Sequence, residues 1–160
     1  MTPAKLAEVT GLSADMQRDW RRRGYITLGT MQPNGRWLYD WYDAFCIYLI
    51  RKLYDAGCEL PRANLFSASI HKQVLMNACH IRAPEAFGPQ RRFIRMQIDP
   101  RGRAEDGHWL GITFDSLNGI EAKGFAFVVD CEQLAREIPE SLDPVIEHLI
   151  AVARGEDVEG

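Results

Sequence analysis

The stretch LSADMQRDWRRRGYI, residues 12–26, sets Arg18, Arg21, Arg22 and Arg23 within six positions, behind a serine suited to capping a helix. Gly24 follows where a helix needs a left-handed residue to stop. The stretch therefore predicts a helix from Ser13 to about Arg23. On a 3.6-residue period, Met16, Trp20 and Arg23 share one side, while Ala14, Arg18, Arg21 and Arg22 cluster on the other with Asp15 at its edge. Trp20 is then the anchor into the core and the arginines form the outer face. A charge run is often only a solvated face, so its neighbours decide what it means.

Upstream, Pro3 suits the first turn of a helix with Thr2 as its cap. Leu6 and Val9 give that helix a short apolar face before Thr10-Gly11 ends it. Downstream, Tyr25 to Met31 and Arg36 to Tyr39 read as two strands around Gln-Pro-Asn-Gly, with Asn34-Gly35 as a tight hairpin turn. Asp40 caps a longer helix, Asp43 lies in its first turn, and Phe45, Leu49 and Leu53 recur at four-residue spacing up to Gly57. Pro61 opens a fourth helix that runs into the seventies. A short helix, a glycine-containing turn and a second helix with a basic outer face form a helix-turn-helix, whose second helix can enter a major groove. The hairpin would be its wing.

The 160 residues are 46% hydrophobic, as in a folded soluble protein, and carry a net charge of −3. The longest apolar stretch, around Phe45 to Ile50, is far short of the roughly 20 residues that span a bilayer. The start, MTPAKLAEVTG, has no apolar core behind a basic end, so a cytoplasmic location is expected. The charge is asymmetric. Residues 1–83 hold eleven Lys and Arg against seven Asp and Glu, a net of +4, and residues 84–160 hold eight against fifteen, a net of −7. Only the first half is suited to a polyanion.

Cys46, Cys58, Cys79 and Cys131 form no CxxC pair and read as reduced, buried thiols. His71, Cys79 and His80 fit no closed zinc spacing, so no metal and no other cofactor is expected. His108 lies near Asp106 and Asp115, but no phosphate loop, GxSxG elbow or activated Cys-His pair accompanies them, and an enzyme is not expected.

From Arg91 the period changes to two. Ile94, Met96 and Ile98 alternate with Arg95 and Gln97, and Asp-Pro-Arg-Gly makes a turn. Leu110, Ile112 and Phe114 alternate next, and Phe125 to Val129 follow Asn118-Gly119 as a third strand. Asp130 and Gln133 resemble a capping box opening a helix to about Ile138, and Asp143-Pro144 starts a last helix ending near Gly155. The expected fold class is α+β, with a helical domain over residues 1–83 and, over 91–157, a small antiparallel sheet with two helices on one face.

The order helix, turn, helix, NG-tipped wing and helix pair resembles the DNA-binding domain of MerR-family transcription regulators. The likeness rests on LAEVTGLS at 6–13, Arg18, Trp20, RGYI at 23–26, NGRWLYDWYD at 34–43 and RKLYDAGCEL at 51–60. It implies a winged helix-turn-helix in a sequence-specific transcription regulator of bacterial or phage origin, acting on double-stranded DNA. Phage excisionases and terminase small subunits share the module, so an architectural or packaging factor is the alternative. A module that has lost DNA binding and holds an acidic protein is a third. Arg18, Arg21, Arg22 and Arg36, with Lys5, are the expected phosphate contacts, Asp15, Gln17 and Arg18 are nearest to base edges, and Asn34 and Trp37 complete the candidate wing. Ala83-Pro84 and Gly88-Pro89 break the chain where the family has its dimerising helix, so a homodimer is expected through the second half.

Overall fold

The computed structural model describes residues 1–98, 109–118 and 126–156. The chain is α+β, and its order is α1 (Pro3–Thr10), α2 (Ala14–Arg22), β1 (Thr30–Met31), β2 (Trp37–Leu38), α3 (Trp41–Asp55), α4 (Leu60–Arg82), β3 (Phe93–Ile98), β4 (Trp109–Phe114), β5 (Ala126–Asp130), α5 (Cys131–Arg136), a 3₁₀ turn (Glu140–Leu142) and α6 (Asp143–Ala153). The expected turn at residues 99–102 lies outside the described residues, as do Gly119, Asp106 and His108.

Local chemistry starts most helices. The Thr2 hydroxyl accepts from the Lys5 amide ahead of α1, and the Ser13 hydroxyl from the Met16 amide ahead of α2. Asp40 and Asp43 cap α3 reciprocally, each side chain accepting from the other's backbone amide. Gly11 and Gly24, at φ 70° and 77°, take the left-handed conformation that ends a helix.

Two compact units result. One comprises Met1–His71 with Pro139–Leu149, the other Lys72–Ile138 with Ile150–Gly160. The expected boundary after residue 83 is therefore displaced, because α4 contributes its first half to one unit and its second half to the other. In the first unit, α1, α2 and α3 enclose Leu6, Leu12, Trp20, Phe45 and Leu49, all buried. Trp20 meets Tyr54 of α3 edge to face, with ring centroids 5.3 Å apart. The 3₁₀ turn packs on α3, and the Ser141 hydroxyl donates to the Val9 carbonyl at 3.3 Å. The stretch expected to cover the sheet thus supplies residues 139–149 to the helical unit.

The second unit holds the antiparallel sheet β4-β3-β5. Central β3 pairs Ile94 with Thr113 on one side and with Val129 on the other. Asp130 caps α5 by accepting from the Gln133 amide, and α5 packs on β3. All four cysteines are free thiols; Cys46, Cys79 and Cys131 are buried and Cys58 is half-buried. No helix among the described residues is long and apolar enough to cross a membrane.

Candidate nucleic-acid interface

The hairpin after α2 is shorter and differently closed than its sequence suggests. Residues 25–29 are not strand, and only Thr30–Met31 pairs with Trp37–Leu38. The Gly35 amide donates to the Gln32 carbonyl at 2.9 Å and the Gln32 amide to the Arg36 carbonyl at 2.8 Å. Pro33, Asn34 and Gly35 therefore make a three-residue loop, with Gly35 in the left-handed region at φ 75°. Asn34 turns its side-chain oxygen inward to accept from the Arg36 amide at 3.0 Å. Asn34 thus shapes the loop, and Arg36 stands exposed beside it with no ion pair among the described residues.

Arg21 joins α2 to this hairpin. Its guanidinium lies 3.5 Å from the centroid of the Trp37 ring, donates to the Leu28 carbonyl at 2.7 Å and to the Tyr39 hydroxyl at 3.0 Å. Half-buried and already bonded, Arg21 is a clamp in place of the expected phosphate contact. Trp37 forms the other half of the clamp. Tyr39, which the sequence marked only as a strand end, is buried, and its amide donates to the Met1 carbonyl at 2.9 Å.

Gln17 corrects a second expectation. It is 4% exposed, and its amide nitrogen donates to the Pro3 carbonyl at 2.9 Å and the Leu12 carbonyl at 2.8 Å. A side chain spent on the start of α1 and on the turn before α2 reads no base. Position 17 lies three residues before Trp20, hence on the same buried side, and a polar residue is tolerated there because its amide nitrogen is hydrogen-bonded to two carbonyls. Arg23, expected beside Trp20 on the inner side, is exposed.

The outer face of α2 then holds Asp15, Arg18 and Arg22. Arg18 pairs with Asp15, Arg22 with Asp19 at 2.7 Å, and Arg23 with Asp19 at 3.0 Å. The hydrogen bond from Arg22 holds the Asp19 carboxyl below the usual carboxylate range. On α1, Lys5 is exposed and pairs with Glu8 at 2.9 Å. These are solvent-screened pairs between flexible side chains, and an incoming polyanion can exchange them.

Arg51 of α3 is a contributor that residue-by-residue reading misses. It chelates Asp55 at 2.7 Å and donates to the Gly11 carbonyl at 2.7 Å, so a cation meets the carbonyl-rich end of α1 and fixes the turn between α1 and α2. The spacing Arg51-Asp55 shows an ordinary helix-surface pair; the reach to Gly11 is visible only in three dimensions. No protein-family model matches the chain, and no curated protein matches it.

Proposed function

We propose that the first unit is a MerR-like winged helix-turn-helix and that the protein is a sequence-specific, double-stranded-DNA-binding transcription regulator. The observation that carries this reading is the Arg21–Trp37 clamp, which makes α2 and the hairpin one piece. A helix and a wing held in fixed relation can meet a groove and its flanking phosphates together. On this reading Arg18, Arg22, Arg36 and Lys5 contact phosphates, and Arg18 with Asp15 lies nearest the base edges. Arg36, exposed and without an ion pair among the described residues, is the wing's contact.

A single small module of this kind gains specificity by doubling, and we assign the doubling to the second unit. β5 is at an edge of the described sheet, with Phe127 37% and Val128 42% exposed, and an apolar edge strand is suited to pairing with a second copy. Sedimentation of full-length protein and of Val128→Lys checks this, with the dimer lost in the variant.

The pairing of Arg18 and Arg22 with Asp15 and Asp19 favours a second reading, in which the same face docks an acidic protein. Salt titration against duplex DNA separates the two. Regulator function predicts specific binding whose log affinity falls linearly with log salt, and Arg18→Ala lowers that slope by about one unit. No duplex binding at low salt rejects the first reading.

A further inference from the structure

The first unit contains a cavity of about 570 Å³ whose use is not explained by its role as a scaffold. Leu28, Ile50 and Leu65 supply aliphatic walls, and Tyr42, Asn64 and His71 supply the polar and aromatic part. Its size lies within the range of roughly 300 to 1,000 Å³ typical of small-molecule sites. No Lys, Arg, Asp or Glu lines it among the described residues. An anionic guest would find no counter-charge there and would meet the field of Asp40 and Asp43, which acts on Cys46. A cationic one would find no carboxylate in the lining itself, so the lining suits a neutral guest.

The polar groups narrow the guest further. Tyr42 and His71 meet edge to face, centroids 5.6 Å apart, and form an aromatic wall. His71 Nδ1 is 3.2 Å from the Ser67 carbonyl oxygen, which can only accept, so Nδ1 carries a hydrogen and the remaining ring nitrogen, Nε2, is the one left for a guest. Burial raises both the Tyr42 hydroxyl and the Cys46 thiol above their usual values, the latter to about 12, and the nearby sulfur stays a neutral, polarisable group.

We propose that this cavity binds a neutral aromatic molecule bearing a hydroxyl or N–H donor, and that its occupancy is transmitted to the Arg21 clamp. The route is short. Leu28 lines the cavity with its side of the loop, and the Leu28 carbonyl is the acceptor of Arg21. A guest that shifts residue 28 changes the acceptor on which the α2–hairpin junction depends. The effect on DNA rests on the regulator reading above; the binding site itself does not.

Indole and 4-methylphenol serve as probes, titrated into ¹⁵N-labelled full-length protein. The expected result is saturable shifts of the Leu28, Asn64 and His71 amides with a Kd of about 0.1 to 1 mM, as suits so small a guest. Ala68→Trp, at an exposed position of α4 on the cavity lining, should abolish the shifts. His71→Phe should weaken binding several-fold while keeping the aromatic wall. No saturable shifts, shifts elsewhere, or shifts that survive Ala68→Trp overturn the site. A change of sedimentation in Ala68→Trp without probe identifies a second copy as the occupant and also overturns it. Anisotropy of a labelled duplex should report at least a threefold change in affinity when indole is present. Unchanged affinity in a protein that does bind DNA overturns the transmission. A protein that binds indole in the cavity and never binds DNA supports the site and rejects the regulator reading instead.

Discussion

The Arg21 guanidinium stacks on the Trp37 ring, 3.5 Å from its centroid, and so the second helix and the hairpin that follows it are joined through side chains as well as through the chain. Arg21→Lys keeps the charge and removes the planar group. The expected cost is about 1 kcal/mol, with faster hydrogen exchange at residues 30–38. The salt dependence of duplex binding should match the wild type. A salt slope reduced by about one unit would put Arg21 on a phosphate and contradict the clamp.

Gln17→Ala removes the donors to the Pro3 and Leu12 carbonyls. Losing both hydrogen bonds should cost about 1 to 3 kcal/mol, seen as a lower Tm or denaturation midpoint. The ranking of duplex sequences by affinity should not change. An altered ranking with normal stability would return Gln17 to the base edges.

Gly29 sits at φ 89°, and a Cβ there would fall 2.8 Å from the Tyr39 ring and 2.9 Å from the Leu38 carbonyl oxygen. Gly29→Ala should destabilise the first unit by at least about 2 kcal/mol, combining backbone strain with displacement of Tyr39. Gly11→Ala is the control, since φ is 70° but nothing lies within 4 Å. It should cost only the strain, about 1 kcal/mol. Equal losses in both variants would show that the Tyr39 contact yields freely.

At Asp130, burial pushes the carboxyl upward, but hydrogen bonds from Arg92 at 2.6 and 2.9 Å and from the Gln133 amide at 2.9 Å bring it below its usual value. A carboxylate with a depressed folded value contributes stability above its unfolded value, about 4, and loses it as pH falls through the folded one. The pair is largely exposed, so solvent screening keeps the contribution small. Melting curves between about pH 6 and pH 2.5 should show a steeper acid loss in wild type than in Arg92→Met. Parallel curves would reject the coupling.

The parts of the fold that depend on neighbours in sequence were legible there. The caps at Thr2, Ser13, Asp40 and Asp130 each join residues three apart, and the alternation from Ile94 to Ile98 announces a strand. What escaped depends on remote groups. Gln17 looks like any outward polar residue until Pro3 and Leu12 present their carbonyls to it. Arg21 belongs by periodicity to the basic face, yet Leu28, Trp37 and Tyr39 draw it inward. Asn34-Gly35 gave the place of the turn, while Pro33 and the left-handed Gly35 select the three-residue loop. Ser141 meets Val9 across 132 positions of sequence, beyond any periodic signal.

That last contact sets an order of assembly during synthesis. Residues 139–149 complete the helical unit, and Leu142 and Ile146 within them are fully buried. A ribosome making this chain delivers all of residues 72–138 before that strip exists, so the amino-terminal unit cannot reach its final form as it emerges. Its last eleven residues arrive only after them. A fragment ending at residue 83 would lack that strip, and residues 1–149 are the smallest continuous piece in which the first unit has all its residues.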